Sequence, residues 1–202
     1  MVVLAKSYKH GQFCVAGKRV DNGRWIRPVS SGQGKALSRE QVKCVNPYGA
    51  FPVKPMQKAF MNFSKHAPLI YQPENHVIDG SVWQQNYKMG YNMLDEYLDR
   101  PDSLWGSGDR VPYDDIVFGK VEIRQSLFLV RVKNLRLVPG ERRASFEYRG
   151  YRYNLKVPDP GFDERCRQLV TPESVLCISL GEPFKVRDRY SCFKIVAAIL
   201  QG

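Results

Sequence analysis

The sequence has no apolar run long enough to cross a membrane and no recognisable secretion signal. Its longest apolar stretch is IVAAIL, near the C-terminus, whereas a membrane-spanning helix needs about 20 residues. The first residues, MVVLAKSYKHGQ, have no basic residue ahead of their apolar run, as a signal peptide would have. We therefore expect no membrane attachment, and we expect this segment to form a first strand.

Cysteine and histidine are scarce. The five cysteines include no Cys-x-x-Cys pair, although zinc ribbons and knuckles require such close ligand pairs. The three histidines have spacings that fit no standard metal site. We therefore predict no metal site and no disulfide framework. The apolar surroundings of Cys14, Cys177 and Cys192 favour reduced thiols and a cytoplasmic protein.

Common catalytic signatures are missing as well. The sequence contains no Gly-x-Ser-x-Gly, no Gly-x-x-x-x-Gly-Lys-Ser/Thr and no His-Glu-x-x-His. It therefore assigns no catalytic residue and no cofactor, and it favours a non-enzymatic protein. One alternative stays open, because Glu74 and His76 would share one face of a strand and could perform acid–base chemistry there.

Positive charge is what the sequence has in excess. The 31 Lys and Arg residues outnumber the 20 Asp and Glu residues and give a net charge of +11. A surplus of this size attracts phosphate polyanions, because binding releases their condensed counterions. The charge therefore points to nucleic acid as a partner, although a basic protein with another acidic partner has the same composition.

Short apolar runs separated by turns dominate the rest of the chain and predict a mainly β protein. Two β-rich blocks flank YNMLDEYLDRPDSLWG, the best helix candidate, which Pro101 would end. We predict two small OB-like β-barrels packed together with a short helical connector. The expected division is 1–80 for the first barrel, 81–117 for the connector and 118–202 for the second barrel. The fold of residues 45–66, rich in loop formers, stays open.

Three local features are predicted in detail. The DNG turn between FCVAGKRV and RWIRPVS predicts a hairpin whose second strand ends at or borders on Pro28. Imperfect alternation in VEIRQSLFLVRVKNLRLV predicts a bend or bulge near Asn134. The segments SFEYRG and YRYNLKV predict a second hairpin around Arg149 and Gly150.

Three groups of basic residues have aromatic residues interleaved with them. The first contains Lys6, Lys9, His10, Lys18, Arg19, Arg24 and Arg27, with Tyr8, Phe13 and Trp25. The second contains Arg142, Arg143, Tyr148, Arg149, Tyr151, Arg152 and Tyr153, and the third contains Lys185, Arg187, Arg189, Tyr190 and Lys194. Cations that contact phosphates, beside aromatic faces that stack on bases, form single-strand grooves. Each group also fits a solvated strand face whose aromatic rings turn into the core.

These groups supply the predicted nucleic-acid contacts. They are Lys6, Lys9, His10, Arg24, Trp25, Arg27, Tyr148, Arg149, Tyr151, Arg152 and Lys194. Within the segment GRWIRPVS, we expect Arg24 and Trp25 to point outward. We expect Arg27 to be semi-buried and paired with Glu74, because a buried charge needs a partner. A possible pocket contains Gln72, Glu74, Asn75 and His76.

Six sequence blocks point to a family. They are KSYKHGQFCVAG, GRWIRPVS, YQPENHVID, SLW, FEYRGYRYNLKVPDP and LCISLGEPF, followed by CFKIVAAIL. In this order, and over nearly the whole chain, they resemble the bacterial dual OB-containing domain family. The resemblance implies two OB-type barrels in one compact unit and nucleic-acid binding in a defence or repair setting. The matched polar positions are Lys6, Lys9, His10, Trp25, Arg27, Ser30, Gln72, Glu74, Asn75, Asp159 and Lys194. The chain departs from the pattern before QPEN, where an apolar strand run is expected, and at VPDP, where a threonine is expected before Asp159.

The leading interpretation is a nucleic-acid-binding module for single-stranded DNA or RNA. One alternative is an enzyme that processes nucleotides or nucleic acid in a pocket around Arg27 and Glu74. Another is an adaptor whose basic face binds an acidic partner protein. The sequence does not distinguish DNA from RNA, and it does not give the oligomeric state.

Overall fold

The computed structural model describes residues 1–9, 11–159, 161–166 and 173–201, except for the side chains of Lys9 and Glu173. The chain divides into two compact units. The first unit contains residues 1–69 and 74–97, and the second contains residues 70–73 and 98–201. The chain therefore leaves the first unit for four residues and returns to it. No helix among the described residues is long and apolar enough to cross a membrane.

The first unit is a sheet of short strands. They are β1 (Val2–Lys9), β2 (Gln12–Lys18), β3 (Trp25–Val29), β4 (Lys43–Asn46), β5 (Gly49–Pro52), β6 (Gln57–Phe60), β7 (Phe63–His66), β8 (Asn75–Ile78) and β9 (Trp83–Lys88). Neighbouring strands follow the order β5-β4-β9-β6-β1-β2-β3-β8-β7. Strands β4–β7 account for most of the segment whose fold the sequence left open.

Pairing in this sheet follows a nearly closed ring. From β6 it passes through β1, β2 and β3 to β8 and β7, and only Met61 and Asn62 separate β7 from β6. Two successive half-strands thus replace one continuous strand, and the ring is interrupted where they meet. A core around Val3, Val15 and Trp83 fills the unit.

The second unit contains longer strands and two short helices. They are β10 (Arg110–Pro112), α1 (Tyr113–Val117), β11 (Leu127–Val138), β12 (Arg143–Tyr148), β13 (Tyr151–Lys156), α2 (Phe162–Arg165), β14 (Glu173–Val186) and β15 (Arg189–Leu200). Five of these strands close into a barrel in the order β11-β12-β13-β15-β14, because β14 pairs with β11 as well as with β15. Strands β13 and β15 pair in parallel, and α2 lies between β13 and β14 in the chain. This is a five-stranded OB-like barrel, and the predicted fold class is confirmed.

Alternation explains which residues fill this barrel. In β12, Ala144, Phe146 and Tyr148 are buried, whereas the residues between them are partly exposed. Successive strand residues point to opposite faces of a sheet, so a period of two places one set in the core. Tyr153 and Leu155 of β13 complete the same cluster.

The two predicted hairpins and the predicted bulge are present in the structure. The hairpin of β2 and β3 forms as predicted and pairs Lys18 with Trp25. Pro28, however, does not end β3, which continues to Val29, and β3 is not an edge strand, because it also pairs with β8. The β11–β12 register shifts between Lys133 and Arg136, and Asn134 there has φ of 55°. Strands β12 and β13 form the predicted hairpin around Arg149 and Gly150. The helix candidate is shorter than predicted: it is a 3-10 helix, Tyr91–Tyr97, in which Leu94 is the buried residue.

Candidate nucleic-acid interface

Trp25 does not point outward, and that prediction is wrong. Its side chain is only 6% exposed, and the Lys18 ammonium lies 5.1 Å from its ring centroid. The strand is buried over its whole length, from Trp25 to Val29, so both of its faces are covered, and β2 and β8 pair along its two edges. Alternation of side-chain direction therefore does not separate buried from exposed residues here. Arg24, immediately before the strand, is exposed.

Arg27 and Glu74 form the predicted ion pair. The Arg27 Nε donates to Glu74 Oε1 over 3.1 Å, and both residues are less than 10% exposed. The Arg27 backbone N–H also donates to the Glu74 carbonyl oxygen over 3.0 Å. The parallel pairing of β3 with β8 brings the two residues together, although they are far apart in the sequence. Both charges are withdrawn from solvent, so this pair fixes two strands.

The predicted pocket residues are distributed over both units. Gln72 belongs to the second unit, whereas Glu74, Asn75 and His76 belong to the first. Gln72 and Asn75 are buried and His76 is half-buried. The His76 Nδ1 lies 2.9 Å from the Glu74 carbonyl oxygen. Burial lowers the pKa of His76, and this effect outweighs the hydrogen bond with the Glu74 carbonyl oxygen, which raises it.

Two more predicted contacts, Tyr148 and Lys194, are buried, which contradicts a surface role for either side chain. The Tyr148 hydroxyl donates to the Pro101 carbonyl oxygen over 2.7 Å. The Lys194 ammonium donates to three successive carbonyl oxygens, those of Gly106, Ser107 and Gly108, over 2.8–3.1 Å. Both side chains therefore hold the 101–108 loop against the barrel.

At the end of the first hairpin, an exposed aromatic residue lies beside a lysine. Tyr8 of β1 pairs across the hairpin with Phe13 of β2, with 4.9 Å between ring centroids. The Lys6 ammonium is 5.0 Å from the Phe13 ring centroid. Burial and the nearby Lys54 ammonium lower the pKa of Lys6. The side chain of Lys9 and the whole of His10 lie outside the described part of the chain.

Arg149, Tyr151 and Arg152 are exposed at the turn between β12 and β13. Arg149 lies 3.5 Å from Asp102, and the Arg152 Nε donates to Glu147 over 3.2 Å. The turn borders a cleft of about 350 Å³ that Arg131 and Lys133 of β11 also line. More cations than carboxylates therefore surround this opening.

Another surface that combines aromatic rings with arginines lies within the third basic group, where the sequence pointed to Arg189 but not to Phe184, Phe193 or Arg110. It lies on the long β14–β15 hairpin, where Phe184 is 62% exposed and contacts Phe193 edge-on, with 6.4 Å between centroids. The Arg110 guanidinium carbon lies 4.6 Å from the Phe193 ring centroid. Because Phe184 pairs with Ser191, the exposed Arg189, two residues earlier, is on the same face. We call Arg110, Phe184, Arg189 and Phe193 the hairpin platform.

The missed signal was present in the sequence. In EPFKVRDRYSCFK, a turn at Arg187 and Asp188 pairs Phe184 with Ser191, two residues before Phe193, and so puts both rings on one face of the hairpin. The basic residues of this segment were predictable, but the register of the hairpin was not.

Comparison with protein families agrees with this architecture. The family model described as the dual OB-containing domain matches residues 1–199 of the chain. The chain belongs to the dual OB-containing domain family. Separate searches of curated proteins and of solved structures gave no significant match.

Because the chain belongs to the dual OB-containing domain family, the location of the hairpin platform can be compared with the ligand-binding positions of OB barrels. OB barrels bind oligonucleotides and oligosaccharides on their second and third strands and on the loops after the first and fourth strands. In the second unit, the fourth strand of the barrel is β14 and the loop after it is the β14–β15 turn. The platform therefore lies beside a loop position that OB barrels use for ligands.

Proposed function

We propose that the protein is a non-enzymatic module that binds single-stranded nucleic acid, with the hairpin platform as its main contact surface. The observation that carries this proposal is the combination of the exposed Phe184 ring and the half-buried Phe193 ring with two arginines on one face. Rings can stack on any base, and arginines can contact phosphates, so the surface favours strands with unstacked bases over duplexes. The net charge of +11 supports the same partner.

The setting of this activity is a further part of the proposal. We infer a bacterial defence or repair setting from the family resemblance, and the five free cysteines suit a reducing cytoplasm. The enzyme alternative around Arg27 and Glu74 receives less support, because these two side chains are buried against each other. An acidic partner protein remains a distinguishable outcome of the experiment below.

The test is fluorescence anisotropy with labelled single- and double-stranded DNA and RNA of about 20 nucleotides, a length that exceeds the roughly 4–16 nucleotides that one OB barrel covers. We expect binding to single strands to weaken about tenfold in Phe184→Ala, because base–aromatic stacking contributes about 1–3 kcal/mol per base. Arg189→Gln is expected to weaken binding and also to reduce its salt dependence.

Matched controls lie in the same unit. Phe118 and Arg124 are exposed in the segment between α1 and β11, so Phe118→Ala and Arg124→Gln remove the same groups outside the platform. Equal losses in platform and control variants would show that the platform is not the contact surface. Absence of binding to all four nucleic acids would contradict the proposed function and leave the acidic protein partner.

A further inference from the structure

A cleft in the first unit lies where the ring of strands is interrupted. It has a volume of about 340 Å³ and is lined by parts of β3, β6, β7, β8 and β9 and of the β2–β3 turn. The buried Ile26 and Ala59 form part of its apolar lining. Because β6 and β7 are two half-strands rather than one, the wall opens beside Phe60 and Phe63. We call this opening the Phe60 cleft.

Its aromatic lining suits a flat ring. Phe60 is 56% exposed although it lines the cleft, so much of its side chain is available for contact with a ligand. Phe63 packs edge-on against His76, with 5.4 Å between centroids, and this contact holds both rings in place. A volume of this size is at the lower end of the range for small-molecule pockets, which are mainly apolar with a few convergent polar groups.

Polar groups on the lining suit the edge of a nucleobase. If the proton is on Nδ1, which is 2.9 Å from the Glu74 carbonyl oxygen, the His76 Nε2 is left as an acceptor. Asn86 of β9 adds an exposed amide, which both donates and accepts hydrogen bonds. Nucleobases present donors and acceptors side by side on their Watson–Crick edges, so these two side chains match that chemistry.

Cations at the same cleft suit a phosphate. The Lys58 ammonium donates to the Tyr87 hydroxyl over 2.9 Å and lies 4.8 Å from the ring centroid of the same tyrosine. This hydrogen bond raises the pKa of Lys58, so the ammonium stays charged at pH 7. Arg19 adds a guanidinium that is bonded to Asp21 through two hydrogen bonds. The cleft is therefore lined by two cationic side chains, those of Lys58 and Arg19, and by one carboxylate, that of Asp21.

We propose that the Phe60 cleft accepts one nucleotide, with its base beside Phe60, His76 and Asn86 and its 5′-phosphate beside Lys58. This inference rests on the proposed function, because the nucleotide would be a terminal or flipped-out residue of the bound strand. It assigns the first unit a separate role: the cleft holds a single nucleotide, whereas the hairpin platform of the second unit stacks on the strand.

The test is an NMR titration of the full chain with adenosine 5′-monophosphate, adenosine and inorganic phosphate. We expect the monophosphate to bind more tightly than either fragment and to shift the amide signals of residues 58–63 and 76. Phe60→Ala is expected to weaken nucleotide binding about tenfold. Lys58→Gln is expected to remove the preference for the monophosphate over the nucleoside.

The matched control is Phe51→Ala. Phe51 is 48% exposed on β5, which is separated from β6 by β4 and β9, and its loss is expected to leave nucleotide affinity unchanged. Phosphate alone binding as tightly as the monophosphate would overturn the inference. So would equal effects of Phe60→Ala and Phe51→Ala.

A parallel titration with a labelled 20-nucleotide strand separates this inference from the proposed function. Binding of the strand with no binding of the monophosphate would overturn the cleft inference and leave the proposed function intact. Binding of the monophosphate without the strand would contradict the proposed function and limit the cleft to free nucleotides. Absence of both would overturn both.

Discussion

Single residues with buried charge hold the first unit together. Arg27 and Glu74 are both withdrawn from water, and a buried charge is stabilised only if its partner is present. Removing one partner therefore lowers the free energy of unfolding much more than breaking an exposed ion pair such as that of Arg19 and Asp21. The pair thus has a structural effect that can be measured without any ligand.

We expect Glu74→Gln to lower the free energy of unfolding by about 3 kcal/mol, because it leaves the Arg27 guanidinium buried without its counter-charge. Asp21→Asn, the exposed counterpart, is expected to leave the free energy of unfolding almost unchanged. Urea denaturation of the two variants and the wild type makes the comparison. Equal stabilities would show that the pair does not hold β3 and β8 together.

Lys194 links stability to pH. Burial lowers its pKa to about 8 from the usual value of 10.5. Between these two values the unfolded chain still binds the proton that the folded chain has released, so stability rises with pH through this range. We expect the wild type to gain stability relative to Lys194→Met between pH 8 and 10.5, measured by urea denaturation. Parallel pH profiles would contradict this account.

The sequence predicted the pairing of Arg27 correctly but not the burial of Trp25 or Lys194, and each outcome has a physical reason. The Arg27–Glu74 pair was predictable because a charge in a buried strand demands a partner. The burial of Trp25 was not predictable, because alternation assigns only one face of a strand to the core and cannot show that neighbours cover both. Lys194 looked like a surface cation because its three acceptors are backbone carbonyls, which no side-chain pattern reveals.

At the scale of elements, turns and bulges were the most predictable features. Asn134 has φ of 55° at the bulge in β11, a conformation that asparagine and glycine tolerate better than other residues. Its side chain also donates to Glu147 over 3.1 Å. The backbone conformation and the hydrogen bond can be separated by two substitutions at one position.

We expect Asn134→Ala to lower the free energy of unfolding by about 1 kcal/mol, because alanine is strained in the left-handed region. Asn134→Gly is expected to lower the free energy of unfolding by less, since glycine adopts this conformation freely. Both variants lose the exposed bond to Glu147, so their difference in urea midpoint reports the backbone alone. An alanine variant as stable as the glycine variant would contradict strain at the bulge.

Longer-range strand order was less predictable than local turns. Strands β6 and β7 lie in the short segment QKAFMNFSKH, which has no clear alternation. Strand β6 pairs with the distant strands β1 and β9, whereas β7 pairs with the next strand, β8. The interruption between them, which forms the Phe60 cleft, therefore left no local signal. The helix candidate matched the spacing rule, but only Leu94 of its 3-10 helix is buried, too little apolar contact to support a longer helix.

At the scale of the whole molecule, the family and fold agree with the sequence prediction, and the charge is the main constraint on function. Two OB-like units account for a mainly β chain without a large sandwich. The four-residue excursion Ile70–Pro73 into the second unit left no compositional mark, because it resembles any loop. The surplus of eleven positive charges belongs to the molecule as a whole and sets its response to salt.

The measurement that tests the central claim most directly is the salt dependence of single-strand binding. If about four phosphates are neutralised, the slope of log K against log salt is about −3, and affinity falls roughly 50-fold between 50 and 200 mM salt. We expect this fall for single strands, with a shallower slope in Arg189→Gln. Affinity that is insensitive to salt, or stronger for duplexes than for single strands, would contradict the account.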